Sequence, residues 1–415
     1  MTMIIKRDYY LQQLISSKSN NLIKIVTGIR RSGKSFLLFN LFHNHLIETG
    51  ISEDHIIEIA LDDRLNKNLR DPDVILQHIH ERIVDDRLYY IILDEVQMID
   101  EFTDVLNSLL HIRNADVYVT GSNSKFLSKD VVTEFRGRGD EIHLFPLSFA
   151  ELYNSIGGDK FELWKSYYTY GGLPGILELD SEKKKAAYLR SLHETVYLKD
   201  IIERNNLKNS EEFMELMRVM ASCIGSPCNP SKLENTFKSV KNETLDRKTI
   251  SKYLSYMEDA FLIEKSTRYD IKGRKYIGTL SKYYFQDIGL RNALLNFRQV
   301  EENHIMENVI YNELCLRGFC VDVGMVEART AKERKQLEVD FVANMADRRY
   351  YIQSAFAMPD DDKREQECAS LKRIDDSFKK IIIMRDDIKP YHDNNGFYIV
   401  GLMDFLLKPD LIEQL

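Results

Sequence analysis

Short apolar runs alternate with longer mixed segments over the first 145 residues. Residues 22–27 and 88–93 are apolar and rich in β-branched side chains, as expected of strands buried on both faces. Residues 116–120 and 141–145 continue the series, and residues 125–135 have a helical pattern. Strands that alternate with helices predict a parallel sheet with right-handed crossovers. The pattern therefore predicts an α/β domain whose ligand site lies at the carboxyl ends of the strands.

A glycine-bounded loop follows the first predicted strand directly. The segment from Gly28 to Ser35 reads GIRRSGKS and matches the P-loop pattern GxxxxGK[ST]. Gly28 and Gly33 allow the backbone N–H groups to face phosphate oxygens, and the next helix directs its positive end at the same anion. Lys34 is expected to reach the β and γ phosphates of ATP, and Ser35 is expected to bind Mg²⁺. The predicted ATP-binding residues of this segment are Gly28, Ile29, Arg30, Arg31, Ser32, Gly33, Lys34, Ser35 and Phe36.

Two adjacent carboxylates, Asp94 and Glu95, end the apolar run 88–93. This is the Walker B pattern, in which Asp94 holds Mg²⁺ through water and Glu95 polarises the attacking water. The alternative is an ordinary pair of surface acids at a strand end. The P-loop earlier in the chain favours the Walker B assignment, because the two motifs are expected on two strands of one sheet. Ser122 lies in the small polar segment after residues 116–120 and is predicted to sense the γ-phosphate.

Further strings carry a family resemblance along nearly the whole chain. Together with GIRRSGKS they resemble the large prokaryotic family of AAA-superfamily P-loop ATPases that carry a C-terminal domain related to restriction nucleases. The resemblance implies an ATPase that uses ATP and Mg²⁺, with a helical lid after the ATPase core. The strings are DEVQ (94–97), TGSNSKFL (120–127), GR (137–138), PLSFAEL (146–152), YGGLPGIL (170–177), YLKDIIER (197–204), FQDIGLRN (285–292), MENVIYNEL (306–314) and LEVDFV (337–342).

The resemblance adds two residues to the expected ATP site. Pro174 is similar to the lid proline of STAND-type signalling ATPases, which packs near adenine; an ordinary interhelical turn is the alternative. Arg138 precedes the strand predicted at 141–145, where ring-forming AAA+ ATPases place an arginine finger. In a homo-oligomer such as a hexameric ring it would act on the neighbouring subunit's nucleotide. Arg136 is the second choice, and a plain surface arginine is the alternative.

Residues 206–297 have the pattern of a winged helix, with helices followed by a hairpin that has a basic turn. In DNA-binding proteins of this kind the second helix enters the major groove and the wing contacts phosphates. Many winged helices instead bind proteins, so a protein partner is the alternative. The candidate DNA-binding residues are Arg247, Lys248 and Lys252 on the helix and Lys272, Arg274 and Lys275 on the wing.

Residues 298–415 follow the element order of the nuclease-like core that the resemblance implies. The sequence predicts a helix at 303–317, strands at 319–323, 337–343 and 349–355, a helix at 362–378 and a strand at 380–384. Glu307 and Asp340 match two acids of an active nuclease site, but Gln353 stands where a third acid belongs, and Ala355 replaces the lysine. We therefore expect a degenerate domain that binds nucleic acid or a partner.

Composition limits the remaining classes of protein. Five cysteines without CxxC spacing argue against a disulfide framework, and the absence of a long apolar run or an apolar leader argues against a membrane or secreted protein. The net charge is −8, yet residues 201–300 hold 17 Lys and Arg against 12 Asp and Glu. This locally basic segment is a weak indication of an anionic partner, and a solvated basic face is the preferred explanation.

The chain is therefore expected to be a cytoplasmic α/β multidomain ATPase acting on DNA. The predicted domains are an ATPase core (1–145), a helical lid (146–205), a winged helix (206–297) and a degenerate nuclease-like domain (298–415). A STAND-like nucleotide switch that binds a protein partner is the alternative. A metal-dependent nuclease is disfavoured by Gln353 and Ala355.

Overall fold

The computed structural model describes residues 4–122, 137–241, 245–329 and 334–414. The chain divides into two compact units. Unit 1 contains residues 1–147, 173–178 and 259–261, and unit 2 contains the remaining residues to 415. The helix predicted at 125–135 and the alternative finger Arg136 lie outside the described residues.

Unit 1 is built on a five-stranded parallel sheet in the order β2-β3-β4-β1-β5, which fits an AAA-type P-loop core. The strands are β1 (Ile23–Thr27), β2 (Ile56–Ala60), β3 (Tyr89–Asp94), β4 (Ala115–Thr120) and β5 (Gly139–His143). The helices are α1 (Asp8–Ser16), α2 (Lys34–Phe36, continuing as the π-helical Leu37–Phe42 and as His43–Glu48), α3 (Pro72–Arg82) and α4 (Phe102–Leu109), with 3-10 turns at Glu53–His55, Arg64–Arg70, Val96–Met98 and Pro174–Ile176.

The apolar strands of unit 1 are buried on both faces of the sheet. Along β3, Tyr89, Ile91 and Leu93 pack into one apolar cluster, while Tyr90 and Ile92 pack into the cluster on the other face. Side chains of a strand alternate between faces, so a run that is apolar at every position requires cover on both. The four strands expected from the sequence are therefore present within two residues of their predicted bounds, and β2 completes the sheet.

One charged pair is buried within this apolar sheet. Lys24 of β1 is fully buried, and its ammonium forms a salt bridge with the Asp116 carboxylate of β4. Tyr118 Oη and the backbone N–H of Ser19 also donate to Asp116 Oδ2, at 2.9 and 3.0 Å. These donors satisfy a carboxylate that would otherwise be costly to bury.

Unit 2 begins with helices. The first of them starts with a capping box, in which the Ser148 hydroxyl accepts from Glu151 N and the Glu151 carboxylate accepts from Ser148 N. Within the described ranges no helix is long and apolar enough to cross a lipid bilayer. The helices are α5 (Phe149–Ile156), α6 (Lys160–Tyr170), α7 (Glu182–Leu192, continuing as the π-helical His193–Leu198), α8 (Lys199–Asn205), α9 (Ser210–Ser222), α10 (Pro230–Thr236, continuing as the π-helical Phe237–Lys241), α11 (Arg247–Asp259), α12 (Ile288–Leu294), α13 (Glu302–Leu316), α14 (Asp361–Cys368) and α15 (Leu402–Leu407), with 3-10 turns at Leu371–Arg373 and Pro409–Ile412.

An eight-stranded mixed sheet forms the rest of unit 2, in the order β12-β13-β11-β10-β9-β8-β6-β7. The strands β8, β9 and β10 form an antiparallel meander, and β11 lies parallel to β10. The strands are β6 (Ile263–Asp270), β7 (Lys275–Phe285), β8 (Cys320–Arg329), β9 (Arg334–Met345), β10 (Arg348–Ala355), β11 (Lys379–Met384), β12 (Tyr391–His392) and β13 (Tyr398–Gly401).

The hairpin assigned above to a separate winged helix is part of this sheet. Its strand β6 pairs in parallel with β8 over Arg268–Asp270, so the hairpin extends the C-terminal strands. The two compact units accordingly do not separate at residue 298. A hairpin that forms a free wing and a hairpin that extends a sheet have the same alternation of apolar and polar residues. They differ only in whether a further strand pairs with them, which the sequence pattern does not show.

The helix predicted at 362–378 is shorter than expected. It ends at Cys368, and a 3-10 turn, Leu371–Arg373, follows. Beyond the turn, Asp376 Oδ1 accepts from the backbone N–H of Phe378 at 3.2 Å, and Asp376 Oδ2 accepts from Tyr351 Oη at 2.6 Å. An Asp that accepts from its own backbone two residues on competes with helical hydrogen bonding, so the chain turns there toward β11.

The buried pair in unit 1 gives a stability prediction. Lys24→Met leaves the Asp116 carboxylate buried without its cation, so we expect a loss of about 3–5 kcal/mol in the free energy of unfolding. Urea denaturation followed by circular dichroism measures the loss. The double variant Lys24→Met/Asp116→Leu removes both charges and should regain most of it. An unchanged midpoint for Lys24→Met would contradict the structural importance of the pair.

Candidate functional site

The loop between β1 and α2 has the backbone that its glycines predict. Gly28 has φ +135°, and a Cβ built on it would lie 2.2 Å from the carbonyl oxygen of Leu144. Gly33, at the start of α2, has φ +100°. Both values lie in the region that favours glycine, and the contact at Gly28 excludes any side chain. The sequence between the glycines is therefore held in a tight turn directly before the first turn of α2.

The lysine of the loop is buried against the loop's own backbone. Lys34 Nζ donates to the carbonyl oxygens of Gly28 at 2.9 Å and Ile29 at 3.1 Å. Lys34 is buried, whereas Ser35 and Phe36 are exposed at the same helix start. The structure thus gathers the predicted ATP-binding residues 28–36 at one edge of the unit 1 sheet.

A residue that the sequence analysis did not single out supports this loop. Arg7 is buried and donates to the carbonyl oxygens of Ser32 at 3.2 Å and Phe145 at 2.8 Å. Its guanidinium also lies 4.6 Å from the ring centroid of Tyr10 on α1. Arg7 therefore ties the N-terminal segment to the P-loop and to the residues that follow β5.

The Asp94 carboxylate joins the end of β3 to two other elements. Ser35 Oγ on α2 donates to Asp94 Oδ2 at 2.7 Å, and Thr120 Oγ1 on β4 donates to Asp94 Oδ1. Burial raises the pKa of the Asp94 carboxyl, and the hydrogen bonds from Thr120 and Ser35 oppose that rise. A cation beside this carboxylate would favour its ionised form.

A hydroxyl and a carboxylate supply the hard oxygen ligands that Mg²⁺ prefers, so Ser35 and Asp94 fit that ion. Across the four described ranges no group of three or more His, Cys, Asp and Glu side chains is arranged to hold a metal ion. Magnesium at Asp94 would therefore need further ligands from phosphate oxygens and water, as is usual where Mg²⁺ accompanies a nucleotide.

Glu95 follows Asp94 in a left-handed backbone conformation, with φ +54° and ψ 49°. Its backbone N–H donates to Thr120 Oγ1 at 2.8 Å, and its carboxylate Oε2 accepts from Ser122 Oγ at 3.0 Å and from Gln97 Nε2. Ser122 is buried after the end of β4. The structure thus brings the predicted water-activating acid and the predicted phosphate sensor into direct contact.

Two further predicted residues lie in unit 1. Pro174 lies beside the P-loop, since a Cβ built on Gly33 would lie 3.8 Å from Pro174 Cγ. Arg138 lies just before β5 with an exposed side chain, and its carbonyl oxygen accepts from Ile23 N at 2.9 Å. The Arg138 side chain is exposed, whereas Pro174 lies against the P-loop.

The candidate DNA-binding residues lie on two elements of unit 2, and all six are exposed. Those of the helix are in α11, whose N-terminus is capped by Asp246: its carboxylate accepts from Lys248 N at 2.8 Å and Thr249 N at 3.1 Å. This cap already satisfies backbone donors that a phosphate would use, so binding through α11 has to rely on side chains. Those of the hairpin are Lys272 and Arg274, in the turn, and Lys275, the first residue of β7.

A buried ionic cluster in unit 2 contains two of the three residues of the predicted degenerate nuclease site. Its centre is Lys282 of β7, which the sequence analysis missed. Lys282 Nζ lies 2.8 Å from Glu307 Oε1, 2.7 Å from Glu338 Oε1 and 3.7 Å from Asp340 Oδ1. An ammonium ion, supplied by the chain, thus stands among three carboxylates of α13 and β9.

The third residue of the predicted nuclease site is Gln353, and its side-chain oxygen forms no hydrogen bond with the cluster. Gln353 Oε1 is buried and accepts no hydrogen bond from the described part of the chain. Its neighbour Ser354 instead donates its backbone N–H to Asp340 Oδ2 at 2.8 Å. Glu307 and Ser354 also border a cleft of about 540 Å³.

The charges of the cluster shift each other's protonation. Burial raises the pKa of the Asp340 carboxyl to about 8, and the Lys282 charge opposes that rise. Burial alone would lower the pKa of Lys282, but the carboxylates of Glu307, Asp340 and Glu338 outweigh it and raise that pKa. The lysine therefore stays charged, while Asp340 holds its proton to higher pH than an exposed Asp.

Two family models match the chain. An AAA domain matches residues 20–153, which include the P-loop, Asp94 and Glu95. A domain of unknown function, DUF8612, matches residues 161–301, which include the helices before the C-terminal sheet and the hairpin β6–β7.

The chain has relatives that match it nearly from end to end. An uncharacterized protein of Haemophilus influenzae is 33% identical over 414 residues, covering 98% of this chain and 99% of that protein. An uncharacterized protein of Methanocaldococcus jannaschii is 29% identical over 391 residues, covering 90% of this chain and 82% of that protein.

Among solved structures, the ORC1 protein of Aeropyrum pernix in complex with DNA is 12% identical, with a TM-score of 0.32 over 71% of this chain and 93% of that one. The Hsp104 protein of S. cerevisiae in complex with casein is 12% identical, with a TM-score of 0.35 over 66% and 58% of the two chains. Likenesses at this level carry no argument about partners or substrates.

The cluster around Lys282 gives a pH prediction. Between about pH 4 and about pH 8 only the folded state holds the proton of Asp340, so the free energy of unfolding falls as pH rises across this window. Asp340→Asn removes the titrating group and should flatten that slope. Urea unfolding at pH 5.5 and 8.5 measures it. The exposed Asp347→Asn is the control and should keep the wild-type slope; an equally steep slope in Asp340→Asn would contradict the assignment.

Proposed function

This chain belongs to one family with the uncharacterized protein of Haemophilus influenzae and carries an AAA domain at residues 20–153, and from that premise we propose that it is a magnesium-dependent ATPase that couples ATP binding and hydrolysis to action on DNA. The observation that carries the proposal is the hydrogen bond of 2.7 Å between Ser35 and Asp94, which joins the P-loop to the strand end that carries Glu95. ATP is the proposed substrate because a P-loop with its lysine binds the phosphates of a nucleoside triphosphate.

Each residue of the site has a proposed part in hydrolysis. The backbone of residues 28–33 and the Lys34 ammonium bind the phosphates. Ser35 and Asp94 would hold Mg²⁺, which when bound neutralises phosphate charge. Glu95 accepts a proton from water as the water oxygen bonds to the γ-phosphorus; the bond from that phosphorus to the bridging oxygen breaks, and ADP leaves with the electron pair.

Two residues complete the proposed nucleotide site. Pro174 packs against the base, in agreement with its place beside Gly33. Arg138 acts on the nucleotide of a neighbouring subunit in a homo-oligomer such as a hexameric ring, as the arginine finger of ring-forming AAA+ ATPases does. The exposure of Arg138 supports a role toward a second molecule.

We propose that DNA contacts the exposed basic residues of α11 and of the β6–β7 turn, as in a winged helix. Phosphate contacts from Lys and Arg supply affinity that depends on salt. The C-terminal strands with α13 would then be a nuclease-like module without cleavage activity. The Lys282 ammonium among Glu307, Glu338 and Asp340 supports the loss of activity, because it satisfies carboxylates that would otherwise be available to a metal ion.

A STAND-like nucleotide switch is the second candidate. It is favoured by Pro174 beside the P-loop and by the net charge of −8, which does not suit a general nucleic-acid-binding surface. Such a switch would retain its nucleotide, hydrolyse it slowly and bind a protein partner through unit 2. A metal-dependent nuclease is a third and weaker candidate.

The ATPase proposal predicts two different losses. Lys34→Ala removes the ammonium that binds phosphate, so ATP binding should be lost. Glu95→Gln keeps the contacts of binding but removes the proton acceptor, so ATP should still bind while turnover falls at least about 100-fold. Calorimetric binding and phosphate release measure the two effects, with the exposed Lys67→Ala as control. Wild-type turnover that survives both substitutions would contradict the assigned site.

The DNA proposal predicts that DNA raises ATP turnover severalfold in a salt-dependent manner. Removing the charges of Arg247, Lys248 and Lys252 should reduce both the stimulation and its salt dependence, because each lost phosphate contact lowers the salt slope by about one. Single-stranded, duplex and branched DNA are compared. The variant Lys183→Ala/Lys184→Ala, which removes exposed charges of α7, is the control. Slow turnover that no DNA changes would count against DNA and favour the switch.

A further inference from the structure

The Gln97 side chain lies against the carboxylate of Glu95 and has no part in the mechanism so far. Gln97 Nε2 donates to Glu95 Oε2 and lies 3.5 Å from Ser122 Oγ, which donates to the same Oε2 at 3.0 Å. Both donors thus act on one oxygen of the carboxylate. The other oxygen, Oε1, receives no hydrogen bond from the described residues and remains an acceptor.

The backbone around Glu95 is fixed from two sides. Its left-handed conformation is uncommon for a residue other than glycine and is held by the hydrogen bond from Glu95 N to Thr120 Oγ1. The 3-10 turn Val96–Met98 follows, and Met98 N donates to the Glu95 carbonyl oxygen at 3.0 Å. This turn returns the chain so that Gln97 reaches the carboxylate two residues before it.

The amide of Gln97 is placed at a cost to stability. Its own oxygen, Oε1, is buried and has no hydrogen-bond partner within the described ranges. A buried acceptor without a partner lowers the stability of the folded state. If the side chain at position 97 served packing alone, an apolar side chain of similar size would be more stable there. The hydrogen bond from the amide nitrogen to Glu95 therefore explains why an amide occupies this position.

We propose that Gln97 is a positioning residue for Glu95: with Ser122 it holds Oε2 and presents Oε1 to the attacking water. This inference rests on the proposed ATPase function. Orientation of the acceptor matters because proton transfer requires Oε1 within hydrogen-bond reach of the water.

The experiment compares Gln97→Ala and Gln97→Glu with wild type by steady-state ATP turnover, together with ATP binding and thermal unfolding. For Gln97→Ala we expect kcat to fall about tenfold while KM and ATP affinity stay unchanged. Gln97→Glu keeps the length of the side chain but replaces the donor with a second carboxylate, which cannot hold Oε2, so its kcat should fall at least as far while KM again stays unchanged.

Gln77→Ala is the matched control. Gln77 also donates its amide to a carboxylate, Glu81 Oε1, at 2.8 Å, but on the exposed surface of α3. It should leave kcat and KM unchanged. Thermal unfolding identifies a variant that loses activity only because it is less folded.

The outcomes separate this inference from the ATPase proposal. If wild type hydrolyses ATP and Gln97→Ala matches or exceeds its kcat, the positioning role is wrong and the ATPase assignment stands. If KM rises while kcat is kept, Gln97 acts on binding, and the role is again wrong. If wild type binds ATP without hydrolysing it, the ATPase proposal fails first and the positioning role fails with it.

Discussion

The Asp94 carboxylate is the point on which the proposed nucleotide site of unit 1 depends. It accepts hydrogen bonds from Ser35 at the start of α2 and from Thr120 at the end of β4, so one side chain joins three elements. Thr120 in turn accepts from Glu95 N and fixes the left-handed residue that follows. The parallel sheet makes this possible, because β1, β3 and β4 all end at the same edge.

Buried lysines constrain both units in the same way. Lys24 pairs with Asp116 across β1 and β4, and Lys282 stands among Glu307, Glu338 and Asp340. A buried charge is tolerated only where its partners are held in place, so each lysine fixes the register of the strands around it. In unit 2 the cation beside the acidic residues is the ammonium group of Lys282, so these acids do not by themselves indicate a metal site.

Local patterns identified much of unit 1 because its chemistry is local. The spacing of Gly28, Gly33 and Lys34 already predicts the tight loop before α2, and an apolar run ending in Asp94 and Glu95 predicts a buried strand that ends in carboxylates. The helix predicted at 362–378 already ends at Cys368, and Asp376, farther along the chain, accepts from the backbone N–H of Phe378 and from Tyr351 of β10. The bond from Phe378 is local, whereas the bond from Tyr351 depends on tertiary contacts, so helical periodicity alone could not exclude the longer helix.

The sequence by itself determined the P-loop, the paired acids and the buried parallel strands, because each depends on residues close together in the chain. Only the tertiary structure decided which strands pair and which side chains meet. It placed the β6–β7 hairpin in the C-terminal sheet, brought Lys282 to Glu307 and Asp340, and set Gln97 against Glu95 beside Ser122. Contacts between residues far apart in the chain, and the direction in which a side chain leaves a turn, follow from packing, which no short pattern of residue types encodes.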